Sequence, residues 1–232
     1  MVSAVRRLLD ELSWEGNARK YRGGGLGLEN VLTTEVFQAL DFLPRDAFLG
    51  AAIRAAVGAD AAREQASAEI EQAAVDLLPG DLVEPELSLR VQPDAVISSP
   101  SSFVFVEAKR IRRSSFSVEQ LARELLVTVH HSAGRRPLLL LVLGAPPPLR
   151  VQGRGALGID EALQLGMDSI SARLDREVAP VDATGAVAYV TWSDIAGRVE
   201  RAAQDYEASD SDSAGTIARL SLSLTEAVRL HA

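Results

Sequence analysis

Cysteine is absent from the 232 residues. That excludes disulfides and thiolate metal sites, and the chain reads as an intracellular, cytoplasmic protein rather than a stapled secreted scaffold. Lysine is nearly absent too: Lys20 and Lys109 stand against 22 arginines. No apolar run approaches the roughly 18 residues of a membrane span. The longest stretch, "PLLLLVLGAPPPL", breaks at Gly144 and three prolines, so no membrane association is expected. The N-terminal "MVSAVRRLLDELSWEG" has no long apolar run and carries acidic residues early, unlike a secretory signal. No internal repeat is found. The net charge of −8 gives a whole-chain field that does not invite nucleic acid. Locally the balance differs. Residues 107–136 hold seven basic residues against three acidic, and "ARKYR" (18–22) forms a second basic knot.

What is present is enough apolar residue, 47%, for a core in a single domain spanning 1–232. Helical spacing of apolar residues predicts helices over 3–13, 28–43, 46–57, 60–78, 117–129 and 159–177. A cap at Ser193 or Asp194 predicts another to about 207, and a final helix is expected over 216–230. "GGGLG" (23–27) reads as a flexible lead-in and "ASDSDSAG" (208–215) as an acidic loop. Strands are expected at 86–91, 94–98, 103–108, 138–143 and 186–192. The continuous apolar run 138–143 suits a strand covered on both faces. Helices, a hairpin, then alternating helix and strand predict an α/β layered domain, a central mixed β-sheet flanked by helices.

Several motifs point nowhere. "GRGALG" (153–158) matches a dinucleotide fingerprint, but "APPPLRVQ" before it is a poor core strand, and a flexible loop is the better account. His130, His131 and His231 do not have metal-site spacing. No G-x-S-x-G is present to support a serine hydrolase.

The informative stretch is "QPDAVISSPSSFVFVEAKRIRR" (92–113). Strand alternation puts Phe103, Phe105, Glu107 and Lys109 on one face and Val104, Val106 and Ala108 on the other. A turn centred near Pro100 sets Asp94 nearly opposite Glu107. Two ionised carboxylates that close repel each other unless a cation compensates, and a hard divalent ion with oxygen ligands is suited to that task. Where arginine serves as the generic cation, a lysine beside the acids supplies a compact ammonium of different chemistry.

Pro93-Asp94 followed by Glu107-Ala108-Lys109 at a strand end resembles the PD-(D/E)XK nuclease superfamily, whose fold is restriction-endonuclease-like. The hairpin carrying the motif, the amphipathic helix after it and the apolar strand after that belong to the likeness, which covers about residues 26–143. Residues 144–232 are additions that it leaves unassigned. The resemblance implies Asp94 and Glu107 as ligands of Mg²⁺, with Mn²⁺ as a substitute and the Ala108 carbonyl as a further ligand. Lys109 would orient or activate the attacking water. A helix acid is implied as well, Glu29 in preference to Glu35. Gln120 falls where some branches place a glutamine, with Glu124 where they place a tyrosine, although the wheel sets Gln120 opposite its helix's apolar stripe. Arg110, Arg112 and Arg113 would grip the phosphate backbone.

The implied activity is Mg²⁺-dependent hydrolysis of phosphodiester bonds in DNA, with RNA not separated from it. A double-strand cutter with one site per chain would act as a homodimer. The alternatives are a catalytically inactive relative that binds or assembles, and a plain α/β interaction domain using the acidic stretch Asp205 to Asp212.

Overall fold

The computed structural model describes residues 27–109, 115–175, 178 and 181–231, with side chains for those from 30 to 230. The helix expected at 3–13 and the lead-in at 23–26 lie outside the described residues.

Helix α1 (Gly27–Phe42) buries Leu32, Val36, Phe37 and Leu40 at i, i+4 spacing, each side chain contributing roughly 1.5–3 kcal/mol when fully buried. The helix expected at 46–57 is split into a π-turn, Asp46–Gly50, and α2 (Ala51–Ala55). Helix α3 (Asp60–Ala68) is shorter than its alanine-rich sequence suggests. A 3₁₀ turn, Ile70–Gln72, follows it, and then the chain extends into strand β1 (Ala74–Leu77). The expected helix to 78 is thus overridden by pairing with the hairpin.

Strands β2 (Leu82–Glu84) and β3 (Leu89–Val91) form a small antiparallel ribbon of their own. Strands β4 (Ala95–Ser98) and β5 (Ser102–Ala108) form the expected hairpin. Helix α4 (Gln120–Ser132) returns the chain to β6 (Arg136–Leu143). The segment expected as a flexible loop is an antiparallel pair, β7 (Leu149–Val151) and β8 (Gly155–Leu157), with Gln152 to Arg154 at its turn. Then come α5 (Ile159–Leu174), the short α6 (Ala183–Ala186), β9 (Val187–Thr191), α7 (Trp192–Asp205) and α8 (Ser211–His231).

The main sheet has five strands in the order β1-β4-β5-β6-β9. The first three are antiparallel neighbours, and β5, β6 and β9 run parallel. Two crossovers of one hand that step the same way along a sheet put their helices on one face. Accordingly α4 and α5 cover the face of Val96, Phe103, Phe105, Leu139 and Leu141. The other face, with Ile97, Val104, Val106, Leu138 and Leu140, takes α1, α2, α3, α7 and α8. The architecture is therefore α/β with a mixed sheet between helical layers. Among the described residues no helix is long and apolar enough to cross a membrane.

Three local devices fix this frame. The turn between β4 and β5 is held by Glu69, whose carboxylate accepts from the Ser99 hydroxyl at 2.5 Å, from the Ser101 amide at 3.1 Å and from the Ser101 hydroxyl. The hydroxyls of Ser101 and Ser99 hold the Glu69 carboxyl below the usual carboxylate range. Helix α5 meets α4 at Gly166, where a Cβ would lie 2.7 Å from the Ala122 Cβ and 2.8 Å from the Val118 carbonyl. At the β9 edge, Val57 exchanges both backbone hydrogen bonds with Tyr189, at 2.8 and 3.0 Å. Gly58, at φ +97°, lets that contact form, because a Cβ there would stand 2.6 Å from the Val187 carbonyl.

The helix starts also differ from expectation. Thr191, not Ser193 or Asp194, caps α7. Its hydroxyl accepts from the Asp194 amide while the Asp194 carboxylate reaches back to the Thr191 amide. From Ser211 the acidic serine run expected as a loop is the start of α8, while Ala208 to Asp210 lie outside the helix. Asp210 accepts from the Ser213 amide at 2.8 Å and from the hydroxyls of Ser213 and Ser209, which lowers its pKa to about 2. A depressed folded-state pKa contributes stability that is complete above the unfolded value near 3.8 and is lost as pH falls toward 2. We expect the protection of the amides at residues 211–214, taken relative to their intrinsic exchange rates, to fall across that interval, and Asp210→Ala to lack that fall. Identical acid profiles for the two proteins would contradict it.

Candidate functional site

The site is built from the open end of the β4–β5 hairpin. The ladder pairs Ala95 with Val106, so Asp94 stands opposite Glu107 one step beyond it. The Asp94 amide donates to the Val106 carbonyl at 3.1 Å, and Asp94 Oδ2 accepts from the Ala108 amide at 2.7 Å. One carboxylate oxygen of Asp94 therefore closes the hairpin. Leu78, at the end of β1, donates its amide to the Asp94 carbonyl at 2.9 Å.

Glu107 is 5% exposed, on the face that α4 covers. Its Oε1 accepts from the Lys109 ammonium in a buried ion pair, the two side chains being 7% and 13% exposed. Lys109 Nζ also lies 5.1 Å from the centroid of the Phe116 ring, a cation–π contact. The main chain of Lys109 is held on two sides. Its amide donates to the Val142 carbonyl at 2.7 Å, and its carbonyl accepts from Trp192 Nε1 at 2.8 Å. Trp192 opens α7 and is 1% exposed. Residues beyond 143 thus form part of the site's support.

From the other side α4 brings Gln120, whose Nε2 donates to Glu107 Oε1 at 2.7 Å. One turn further, Glu124 is 3% exposed. Its Oε2 has no hydrogen-bond partner, and Gln120 stands at hydrogen-bonding reach of the same carboxyl. Burial pushes the Glu124 carboxyl well above the usual carboxylate range. The Glu107 charge adds to that shift, as does Asp94 to a smaller degree, while Lys109 and Gln120 oppose it.

Sequence reasoning singled out Gln120 and treated Glu124 only as a substitution at a tyrosine position. The helical wheel assumes burial on one side. Here α4 packs against β5, β6, the β2–β3 ribbon and α5, so Val127 and Thr128, off the apolar stripe, are also fully buried. The signal available was the i, i+4 pairing of Gln120 with Glu124 beside the motif strand.

The remaining predicted residues fall as follows. Ala108 is fully buried at the end of β5. Glu35 is exposed on α1, whose buried side chains join the far core. The side chain of Glu29 and all of Arg110, Arg112 and Arg113 lie outside the described residues. As the side chains stand, no group of three or more acidic or imidazole residues among the described residues is at metal-ligand spacing. Neither family models, nor curated proteins, nor solved structures yield a match to the chain.

Proposed function

We propose that the chain is a Mg²⁺-dependent nuclease of the PD-(D/E)XK type, restriction-endonuclease-like in fold, hydrolysing phosphodiester bonds of DNA. The supporting observation is the convergence of Asp94, Glu107 and Lys109 at one hairpin end, with Gln120 on Glu107. Hard oxygen donors and an orphaned buried carboxylate oxygen fit a hard divalent cation in chemistry. Asp94, Glu107 and the Ala108 carbonyl would hold it. When bound, Mg²⁺ or Mn²⁺ supplies neutralising charge for the phosphate and acidifies water.

The chain's own residues carry the rest. Gln120 orients Glu107, which otherwise has the Lys109 ammonium as its neighbour. Lys109 has a main chain anchored at both its amide and its carbonyl, so a shift of its ammonium from Glu107 toward an incoming phosphate oxygen or water would be a motion of the side chain alone. Its ammonium stabilises charge building on the phosphate. Arg110, Arg112 and Arg113 follow directly and would grip the backbone as sequence-independent contacts. A homodimer would serve a double-strand cut, and RNA is the competing substrate for the same chemistry.

The Lys109–Glu107 pair also favours a second reading. An ammonium already compensates Glu107, as in a fold that binds or assembles without cleaving. The two readings separate on supercoiled plasmid at stated salt. Wild type is expected to nick it with Mg²⁺ and stop with EDTA, and Asp94→Asn to be slower by at least about 100-fold. Equal cleavage by both proteins means contamination and defeats the nuclease reading.

A further inference from the structure

We propose that Glu124 is a third carboxylate ligand of the divalent-cation site, delivered from α4 across the hairpin end. This rests on the nuclease reading above and extends its ligand set beyond the motif hairpin.

The geometry carries it. Glu124 is more than nine-tenths buried, beside Glu107 rather than out in solvent. Its Oε2 is without a hydrogen-bond partner. An orphaned buried acceptor forfeits about 1–3 kcal/mol, and an apolar side chain at the same point of α4 would avoid that cost. Three of the neighbouring positions on α4, Leu121, Ala122 and Leu125, are apolar and fully buried. A carboxyl there makes physical sense if its free oxygen meets a partner that arrives with the ligand.

Gln120 links the two acids. Its amide donates to Glu107 and stands at reach of Glu124, which sets the two carboxyls on either side of one small group. In the described arrangement the Lys109 ammonium sits on Glu107, and the acids are not at ligand spacing. A cation of twice the charge competes for the same oxygen. With a cation held there, Glu124 Oε2 would be the unengaged carboxylate oxygen available to it. A set of Asp94, Glu107 and Glu124 would be all oxygen and would favour Mg²⁺ or Mn²⁺ over softer metals.

The test is titration of the full chain with Mn²⁺ alone, by calorimetry, together with the melting shift that Mn²⁺ induces. Glu124→Gln keeps the shape and removes the acid. It is expected to melt at or above wild type without metal, to bind Mn²⁺ about 10- to 100-fold more weakly, and to lose most of the Mn²⁺-induced shift. Glu124→Asp withdraws the carboxylate by one methylene and is expected to weaken binding to a lesser degree. It also serves as the variant to read should the amide fail to fold. Wild-type binding with either folded variant unchanged overturns the assignment of Glu124 and leaves the nuclease reading standing. Absence of Mn²⁺ binding by wild type overturns both.

Discussion

Lys109→Met is expected to slow cleavage by about 10²- to 10⁴-fold and at the same time to tighten Mn²⁺ binding. The two effects have one cause. The ammonium occupies Glu107 Oε1, an oxygen that a cation ligand set would use. Removing it removes the competitor, so the dissociation constant for Mn²⁺ should fall. On the proposed nuclease reading it also removes the group that would orient water and meet phosphate charge, for which a loss of about 10²- to 10⁴-fold in rate is ordinary. Methionine keeps an unbranched chain of similar length and can set its sulfur near the Phe116 ring in place of the ammonium.

Without metal the variant should be less stable, because it leaves the buried Glu107 carboxylate with Gln120 as its remaining described hydrogen-bond donor. Breaking a buried pair from one side costs about 3–5 kcal/mol. Saturating Mn²⁺ should return much of that loss. Calorimetry with Mn²⁺, single-turnover cleavage at saturating Mg²⁺ and melting with and without metal read the three quantities. An unchanged affinity joined to an unchanged rate would show the pair to be a strand-end brace only.

Trp192→Ala should give the largest loss of stability, about 3–5 kcal/mol. Trp192 is among the largest fully buried side chains, and it joins the core beneath α7 to the end of β5. In a domain of this length each kcal/mol moves the midpoint by about 2–4 °C, so a drop near 10 °C is expected. Trp192→Phe separates the two jobs of the side chain. It keeps an aromatic ring in place but has no N–H, leaving the Lys109 carbonyl without the indole donor, a cost of about 1–3 kcal/mol. Cleavage should fall in Trp192→Phe by more than its melting change accounts for, since Lys109 then loses one of its two main-chain anchors. A phenylalanine variant with wild-type midpoint and rate would show that the indole bond positions nothing.

How much of this could be read from residues alone differs between fold and site. The hairpin register was legible because "SSPSS" leaves one short turn between two alternating apolar runs, and alternation then dictates which residues share a face. It did not disclose Glu69, 30 residues away, which pins that turn. The strand at 74–77 was hidden within an alanine-rich helical pattern. Four residues alternating once cannot outweigh that pattern until β4 offers a ladder. The start of α8 was missed because serine and aspartate signal both loop and cap, and only the Asp210 contacts decide between them. At the site, Asp94, Glu107 and Lys109 are close in sequence and local spacing relates them. Glu124 and Trp192 reach the same point through tertiary packing of α4 and α7, which no local period encodes.

The latch at Val57 has a consequence for the sheet as a whole. A border strand with open amides and carbonyls invites pairing from another chain. At β9 the Tyr189 amide and carbonyl are spent on Val57, and Gly58 beside it lies close against the Val187 carbonyl. At the opposite border β1 is four residues long and carries Asp76 in its middle, a charge that discourages stacking of strand on strand. Both borders are thus defended by different means, and the sheet is kept from growing sideways into an aggregate.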